Sequence, residues 1–409
     1  SFDYNNISLY QARWLANIFG DKYYNDFVDI TNTFYHQAFS RKPEFMGWGY
    51  QWATNRHGKE RNTDTDFSFA NYREADLRLA AYERIGAKVG EILGELPEEY
   101  KPGFYQLLYY PVKGCELINK MVLTGQKNRW YVLQQRAAAN KLKEQAKVYY
   151  DSLQTITQGY NSLLNGKWEH VMTTRQGFAA SYFELPQLRT VELSDIPSLG
   201  IWVEEEDVLK GKASFHLLPV FSTYLRQSYY FDVFNKGEGV LDWNIKTSED
   251  WIQVDKNQGS TDTEHRVWVS IDWKKVPVGE RISGVIEVSA GNAGKENIYV
   301  SVFNPVSPLL TEMDTLFVEH NGYVSINAAD YHRKVENEAI KIMTIPNLGF
   351  ENTSVQLGNP IAPAQKTGSS IVPRVEYDFY TFGQGSVDVY TYVLPTFTLS
   401  ADKGYAGHE

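Results

Sequence analysis

The chain has 409 residues, enough for two or three domains with separate cores, and a net charge of −10. That acidic balance argues against a nucleic-acid partner, because neutralising phosphates needs a basic face. There is no apolar run of about 18 residues to span a bilayer, and one cysteine, Cys115, excludes a disulfide framework or a thiolate metal cluster.

The aromatic content, 14% with 28 Tyr and 10 Trp, fits two uses, since such rings stack on the apolar faces of sugars and also fill cores. The first residues, SFDYNN, include neither an initiator Met nor a charged-then-apolar leader. The expectation is a removed signal or a piece of a longer polypeptide.

The N-terminal half reads as helices. The spacing predicts a first helix burying Leu15, Ile18 and Phe19 and ending at Gly20 in the left-handed conformation. A second carries Phe27, Ile30, Phe34 and Ala38 and stops at Pro43. The loop at 47–66 holds Trp48, Tyr50, Trp52 and Arg56, and loops of this length are usually functional or disordered. A third helix, with Asn71 and Glu74 as a capping pair, carries the stripe Leu77, Ala81, Ile85, Val89, Ile92 and Leu96 up to Pro97. A fourth runs from Phe104 to Val122 through Cys115, with a kink at Pro111. A fifth, over 128–165, has the heptad-like seam Ala138, Leu142, Ala146, Tyr149, Leu153, Ile156, Tyr160 and Leu163, for a bundle core or a dimer contact.

The resulting fold class is multidomain α plus all-β. A helical bundle at 1–185 and a linker at 186–214 precede an immunoglobulin-like β-sandwich at 215–306 and a further β domain at 307–409 that looks incomplete. Glu204, Glu205, Glu206 and Asp207 in the linker read as a solvated charge run or edge strand. Short alternating strands are expected at Tyr229–Val233, Val267–Ile271, Ile282–Val288 and Ile298–Val302, then near 321–328, 340–346, 374–380 and 385–393.

No phosphate loop, dinucleotide fingerprint, zinc motif or nucleophile elbow is present. The eight histidines lack a second ligand at metal spacing. Asp64 and Asp66, beside Arg56 and His57, are the acids whose setting merits attention, and loop solubility is the preferred reading of them. No catalytic residue, metal ligand or cofactor site is expected within the chain.

Several short runs resemble the helical domain of glycoside hydrolase family 115. They are Trp14-Leu15-Ala16 with Phe19-Gly20, Arg41-Lys42-Pro43-Glu44, Phe104-Tyr105-Gln106-Leu107, Tyr110-Pro111-Val112 and Asn165-Gly166-Lys167-Trp168. Trp251-Ile252-Gln253-Val254, Gln258-Gly259 and the strand from Val267 to Trp273 are similar to that family's immunoglobulin-like module. Phe317-Val318-Glu319, Gly322-Tyr323-Val324-Ser325-Ile326 and Pro373-Arg374-Val375-Glu376-Tyr377 are similar to its final β domain.

The resemblance implies a secreted, extracellular or periplasmic xylan α-1,2-glucuronidase that releases glucuronic or 4-O-methylglucuronic acid by an inverting, metal-independent route. Its catalytic acids lie on an upstream barrel that these 409 residues do not include. This chain is then the accessory C-terminal part, supporting the barrel and a homodimer, with glucuronoxylan as the glycan partner. Trp48, Tyr50, Trp52 and Arg56 are its carbohydrate-binding candidates, through ring stacking and the bidentate fit of Arg to a uronate. The alternative is a stand-alone carbohydrate-binding or scaffold protein.

Overall fold

The computed structural model describes residues 7–46, 64–172, 184–204, 215–338, 340–346, 348–349, 353–358 and 372–394. The chain divides into two compact units. The first comprises Ser1–Leu218, Tyr229–Val269 and Gly284–Tyr299, and the second Pro219–Ser228, Ser270–Ser283 and Val300–Glu409. As expected, helices come first in the sequence and several β sheets follow.

In the first unit, α1 (Ile7–Phe19) and α2 (Tyr24–Ser40) form a hairpin against α3 (Glu74–Glu95). Leu15, Phe19, Phe27, Ile30, Ile85, Val89, Ile92 and Phe104 fill their common core. Phe19 meets Phe104 edge-on with centroids 5.1 Å apart, the geometry favoured by the ring quadrupoles. Two expectations for α1 are corrected. Ile18 is exposed, because Ala12, Leu15, Ala16 and Phe19 form the buried face. Gly20 does take a positive φ, 121°, which favours glycine, but its ψ of 136° departs from the left-handed helical cap.

Helix α3 also departs from the expected stripe. Leu77 is exposed, and Arg78 and Tyr82 occupy the buried face with Ile85, Val89 and Ile92. Asn71 does not cap it; Arg73 is the N-cap residue, and the Glu74 carboxylate accepts the Ser68 N–H. The kink expected at Pro111 takes a specific form. Between the short α4 (Lys101–Phe104) and α5 (Tyr110–Leu133) lies a π-helical turn, Tyr105–Tyr109. The wider turn makes room for a ring that would otherwise strike the carbonyl four residues back, and no N–H is needed there.

The fifth expected helix is two pieces. Residues 128–133 belong to α5, and α6 (Ala138–Asn161) starts after a break in which Gln135 has φ 60°. Sequence offered no Gly or Pro to mark this break. Tertiary contacts explain it, because Arg136 within the break is fully buried.

Arg136 reaches the first sheet, ordered β1 (Leu199–Val203), β4 (Tyr229–Asn235), β8 (Glu264–Ile271) and β6 (Ile252–Val254). Its Nη1 donates to Asp232 at 3.0 Å and to Glu264 at 2.6 Å, and its Nε donates to Gln134. Tyr131 and Phe234 lie 4.3 and 4.4 Å from the guanidinium carbon. Asp232 also accepts from Arg266, which stacks 3.6 Å over the Tyr230 ring. Every residue of β4 is therefore buried, where alternation was expected; the face that should meet water meets the helices instead. The stretch expected as a linker contributes β1, an edge strand whose five residues are all buried.

The second sheet runs β2 (His216–Leu217), β10 (Lys295–Asn304), β9 (Gly279–Ser289), β5 (Leu241–Thr247) and β7 (Gln258–Thr261), with β3 (Phe221–Ser222) also on β10. Here β5 alternates, with Leu241, Trp243 and Ile245 buried and Asp242, Asn244 and Lys246 exposed.

In the second unit, Tyr224, Phe303, Tyr380 and Phe382 make an aromatic knot, and the Tyr224 hydroxyl donates to the Pro308 carbonyl at 2.7 Å. Three two-stranded ribbons follow: β11 (Phe317–Val318) with β16 (Phe379–Tyr380), β12 (Arg333–Val335) with β15 (Arg374–Glu376), and β13 (Ile342–Pro346) with β14 (Thr353–Leu357). Arg333 on β12 joins the first two by a bidentate bond to Asp378, just before β16, at 2.6 and 2.7 Å and a third bond to Glu376 on β15. The strands expected near 321–328 and 385–393 do not form. At the first, Asn321 and Gly322 both take positive φ and close a tight turn.

Arg136→Ala leaves Asp232 charged in a dry site; we expect a loss of about 3–5 kcal/mol, read from urea unfolding. Burial alone raises the Asp232 carboxyl, but Arg136 and Arg266 outweigh it and hold it below its ordinary value. That stabilisation is present above about pH 4, the unfolded pKa, and is lost as pH falls through the folded one. Asp232→Asn should flatten this part of the acid dependence in unfolding curves taken from pH 3 to 7.

Candidate functional site

The candidate loop is defined by how its two ends are held. At its start, the last turn of α2 is held from outside the helix. The buried guanidinium of Arg78 donates from Nη1 at 2.9 Å to the Gln37 carbonyl, which also accepts the Arg41 N–H, and from Nη2 at 2.7 Å to the Arg41 carbonyl. A cation is favoured at this end of a helix. Its Nε donates to Asn119 on α5 at 2.6 Å, so three helices meet on one side chain. Burial lowers the pKa of this guanidinium from its ordinary value, and carbonyl dipoles rather than carboxylates compensate the charge. The Arg41 guanidinium then donates twice to the Phe45 carbonyl, and Met46 is buried beside Met121, Val122 and Leu123.

The far end returns to the same place. Thr65 and Gln126 exchange three hydrogen bonds: Gln126 Oε1 accepts the Thr65 N–H and hydroxyl at 2.8 Å each, and its amide donates to the Thr65 carbonyl at 2.9 Å. Asp64 is ion-paired with Arg129, which also donates to the Gln187 carbonyl. The Phe67 ring lies 4.8 Å from the Arg78 guanidinium carbon. One buried arginine thus touches both ends of the loop. Phe69 stacks on Trp130, and the Tyr230 hydroxyl donates to the Ala70 carbonyl, which seats the chain on the first sheet.

Trp48, Tyr50, Trp52 and Arg56 lie outside the described residues, as does His57. Asp66 is exposed. Asp64 serves structure: a carboxylate engaged by an arginine is a poor proton donor or nucleophile. Sequence reasoning missed Arg78, Gln126 and Asn119. The available signal was a charged residue at the phase of an otherwise apolar stripe on α3.

Among the described residues no group of three His, Cys, Asp or Glu side chains is placed to hold a metal ion. An open groove beside β5 and β6 is lined by Thr247, Asp250, Gln253, Asp255 and Lys256. Its Asp255 accepts the Trp268 backbone N–H, and no nucleophile with an adjacent base stands in it. The arrangement fixes residues 41–46 and 64–70, and among the described residues it assembles no acid–base pair.

Residues 316–406 match the model of the glycosyl hydrolase family 115 C-terminal domain. No curated protein matches the chain. Among solved structures it is similar to a family GH115 4-O-methyl-alpha-glucuronidase described as specific for decorated arabinogalactans, at 18% identity over 64% of this chain with a TM-score of 0.36. The chain spans 39% of that protein's length. A GH5 xyloglucanase of Bacteroides ovatus (17% identity over 27% of this chain and 20% of that one, TM-score 0.19) also matches. So does a family 123 glycoside hydrolase of Clostridium perfringens (13%, 30% and 30%, TM-score 0.20).

Arg78→Met keeps the stem's volume and removes four polar contacts. We expect a loss on the order of 3 kcal/mol and faster limited proteolysis within 47–63 than in the unsubstituted chain. Gln126→Ala should accelerate that cleavage with a smaller change in global stability.

Proposed function

We propose, from a chain that carries the C-terminal domain of glycosyl hydrolase family 115 at residues 316–406, that it is the accessory C-terminal region of an α-1,2-glucuronidase-like enzyme acting on xylan. The observation that carries this reading is the family match itself. It is supported by the site's chemistry: a loop stem whose Asp64 is ion-paired with Arg129. Catalysis then belongs to a catalytic domain in the same protein, and the region's work is to support that domain and to pair with a second copy. The setting is extracellular or periplasmic.

In this reading Trp48, Tyr50 and Trp52 contact the glycan by ring stacking, and Arg56 pairs with the uronate carboxylate. The Arg78 stem supplies the preorganisation: ordering a long loop on binding would otherwise cost affinity.

Release of glucuronic or 4-O-methylglucuronic acid from glucuronoxylan tests it. This chain should release none, and a version extended upstream should be active. Decorated arabinogalactan serves as the competing substrate. In the extended protein, Trp48→Ala with Trp52→Ala should raise KM about tenfold while leaving kcat within a factor of about three, since stacking remote from the reacting bond binds ground and transition states alike. Activity of the short chain would overturn the assignment.

A further inference from the structure

The open groove beside β5 and β6 lies within the first unit, away from the loop stem and the charges around Arg136. Its volume is about 560 Å³, inside the roughly 300–1,000 Å³ range of small-molecule sites. The strands give it a mixed lining. Ile252 and Val254 on β6 contribute apolar surface, and Asp250, Gln253, Asp255 and Lys256 contribute polar groups. The return of the chain is held where Asn257 accepts the Ile245 N–H of β5 at 2.7 Å.

Two of the polar groups are fixed before any ligand arrives. Asp255 exchanges two bonds with Trp268 on β8: its N–H donates to the Trp268 carbonyl at 3.0 Å, and its Oδ1 accepts the Trp268 N–H at 2.9 Å. That pairing sets Trp268 next to the groove. Trp268 is 37% exposed and braced by Tyr230, with ring centres 5.2 Å apart. The Gln253 amide nitrogen donates to the Asp250 carbonyl at 2.9 Å, which fixes the orientation of its oxygen. Groups held in place spend less affinity on ordering.

The combination matches one ligand chemistry. A pyranose has apolar C–H faces and a rim of hydroxyls that both donate and accept. Asp255 and the Gln253 oxygen accept such bonds, the Lys256 ammonium donates them, and an exposed indole face takes the C–H side. Two carboxylates against one ammonium disfavour an anion, so a uronate branch is repelled and a neutral backbone is not. Among the described residues no third acidic or histidine ligand joins Asp250 and Asp255 to hold a metal ion.

We propose that this groove binds a neutral, undecorated stretch of glycan backbone, with Asp255, Gln253 and Lys256 bonding its hydroxyls and Trp268 stacking on a sugar ring. The inference rests on the glycan-directed reading given above. It adds a second contact whose charge preference is opposite to that of Arg56.

Isothermal titration calorimetry of the 409-residue chain with xylohexaose tests it, using Asp255→Ala and Trp268→Ala, each verified as folded by circular dichroism. The expected result is a dissociation constant of about 1 mM or lower, raised about fivefold or more by either substitution. Trp268→Phe, which keeps a ring, should retain binding. Xylohexaose carrying 4-O-methylglucuronic acid branches should bind more weakly than the bare sugar, and added salt should narrow that gap. No binding at about 5 mM ligand, tighter binding of the branched sugar, or binding indifferent to both substitutions would overturn the proposal. Trp48→Ala with Trp52→Ala separates the two contacts, and xylohexaose binding should survive it. If that pair abolishes binding while the groove variants keep it, the glycan belongs to the loop and the groove proposal fails. Uronic acid release by the upstream-extended protein is measured separately. Groove binding in a protein that releases none leaves this site standing and removes the enzymatic reading.

Discussion

A buried guanidinium holds the first unit together. Arg136 is fully enclosed, so its charge must be matched where it sits, and the matching groups, Asp232 and Glu264, come from strands far along the chain. Charge in a low-dielectric site tolerates little slippage: moving either partner leaves the buried guanidinium short of one counter-charge. Tyr131, Trp130, Trp202 and Phe234 surround it with ring faces, which favour a cation and keep water out. The break between α5 and α6, the burial of all of β4, and the seating of β1 follow from this one contact.

The loop stem uses a second buried arginine differently. Among the described residues Arg78 is bonded by neutral groups, the carbonyls at the end of α2 and the Asn119 side chain. The neutral partners leave its charge directed at a helix terminus, where a cation is wanted. Because Phe67 covers the same guanidinium, the start and the return of the loop are fixed by a single group. Binding residues are commonly carried on loops held by a rigid scaffold, and this stem meets that condition without itself doing chemistry.

The second unit is built with less apolar burial. Its ribbons are two-stranded, and such pairs are marginal in water unless tied down. The Arg333 fork to Asp378 and Glu376, the aromatic knot around Phe382, and His332 supply the ties. His332 accepts the Asp378 N–H on Nδ1 at 3.1 Å, and its Nε2 lies 2.6 Å from the Thr315 carbonyl oxygen. The family match covers most of this region, which places the domain identity where the packing is thinnest and the sequence words are most specific.

The order of helices before sheets, most helix centres and the alternation along β8 were legible in the sequence by itself. Apolar period and turn residues are local properties, and each of those features is local. Four outcomes needed the tertiary structure. Ile18 and Leu77 turned outward because the true buried phase included Ala12, Ala16, Arg78 and Tyr82, which a hydrophobic stripe does not advertise. The helix break at Arg136 had no Gly or Pro to signal it; it arises from a partner about a hundred residues away. The all-buried β4 lost its alternation because helices cover its second face. The strand expected over 385–393 found no pairing among the described residues, since β propensity supplies a willing strand but only a neighbouring edge makes a sheet. Sequence determined what each segment prefers, and long-range charge and edge pairing decided which preferences were met.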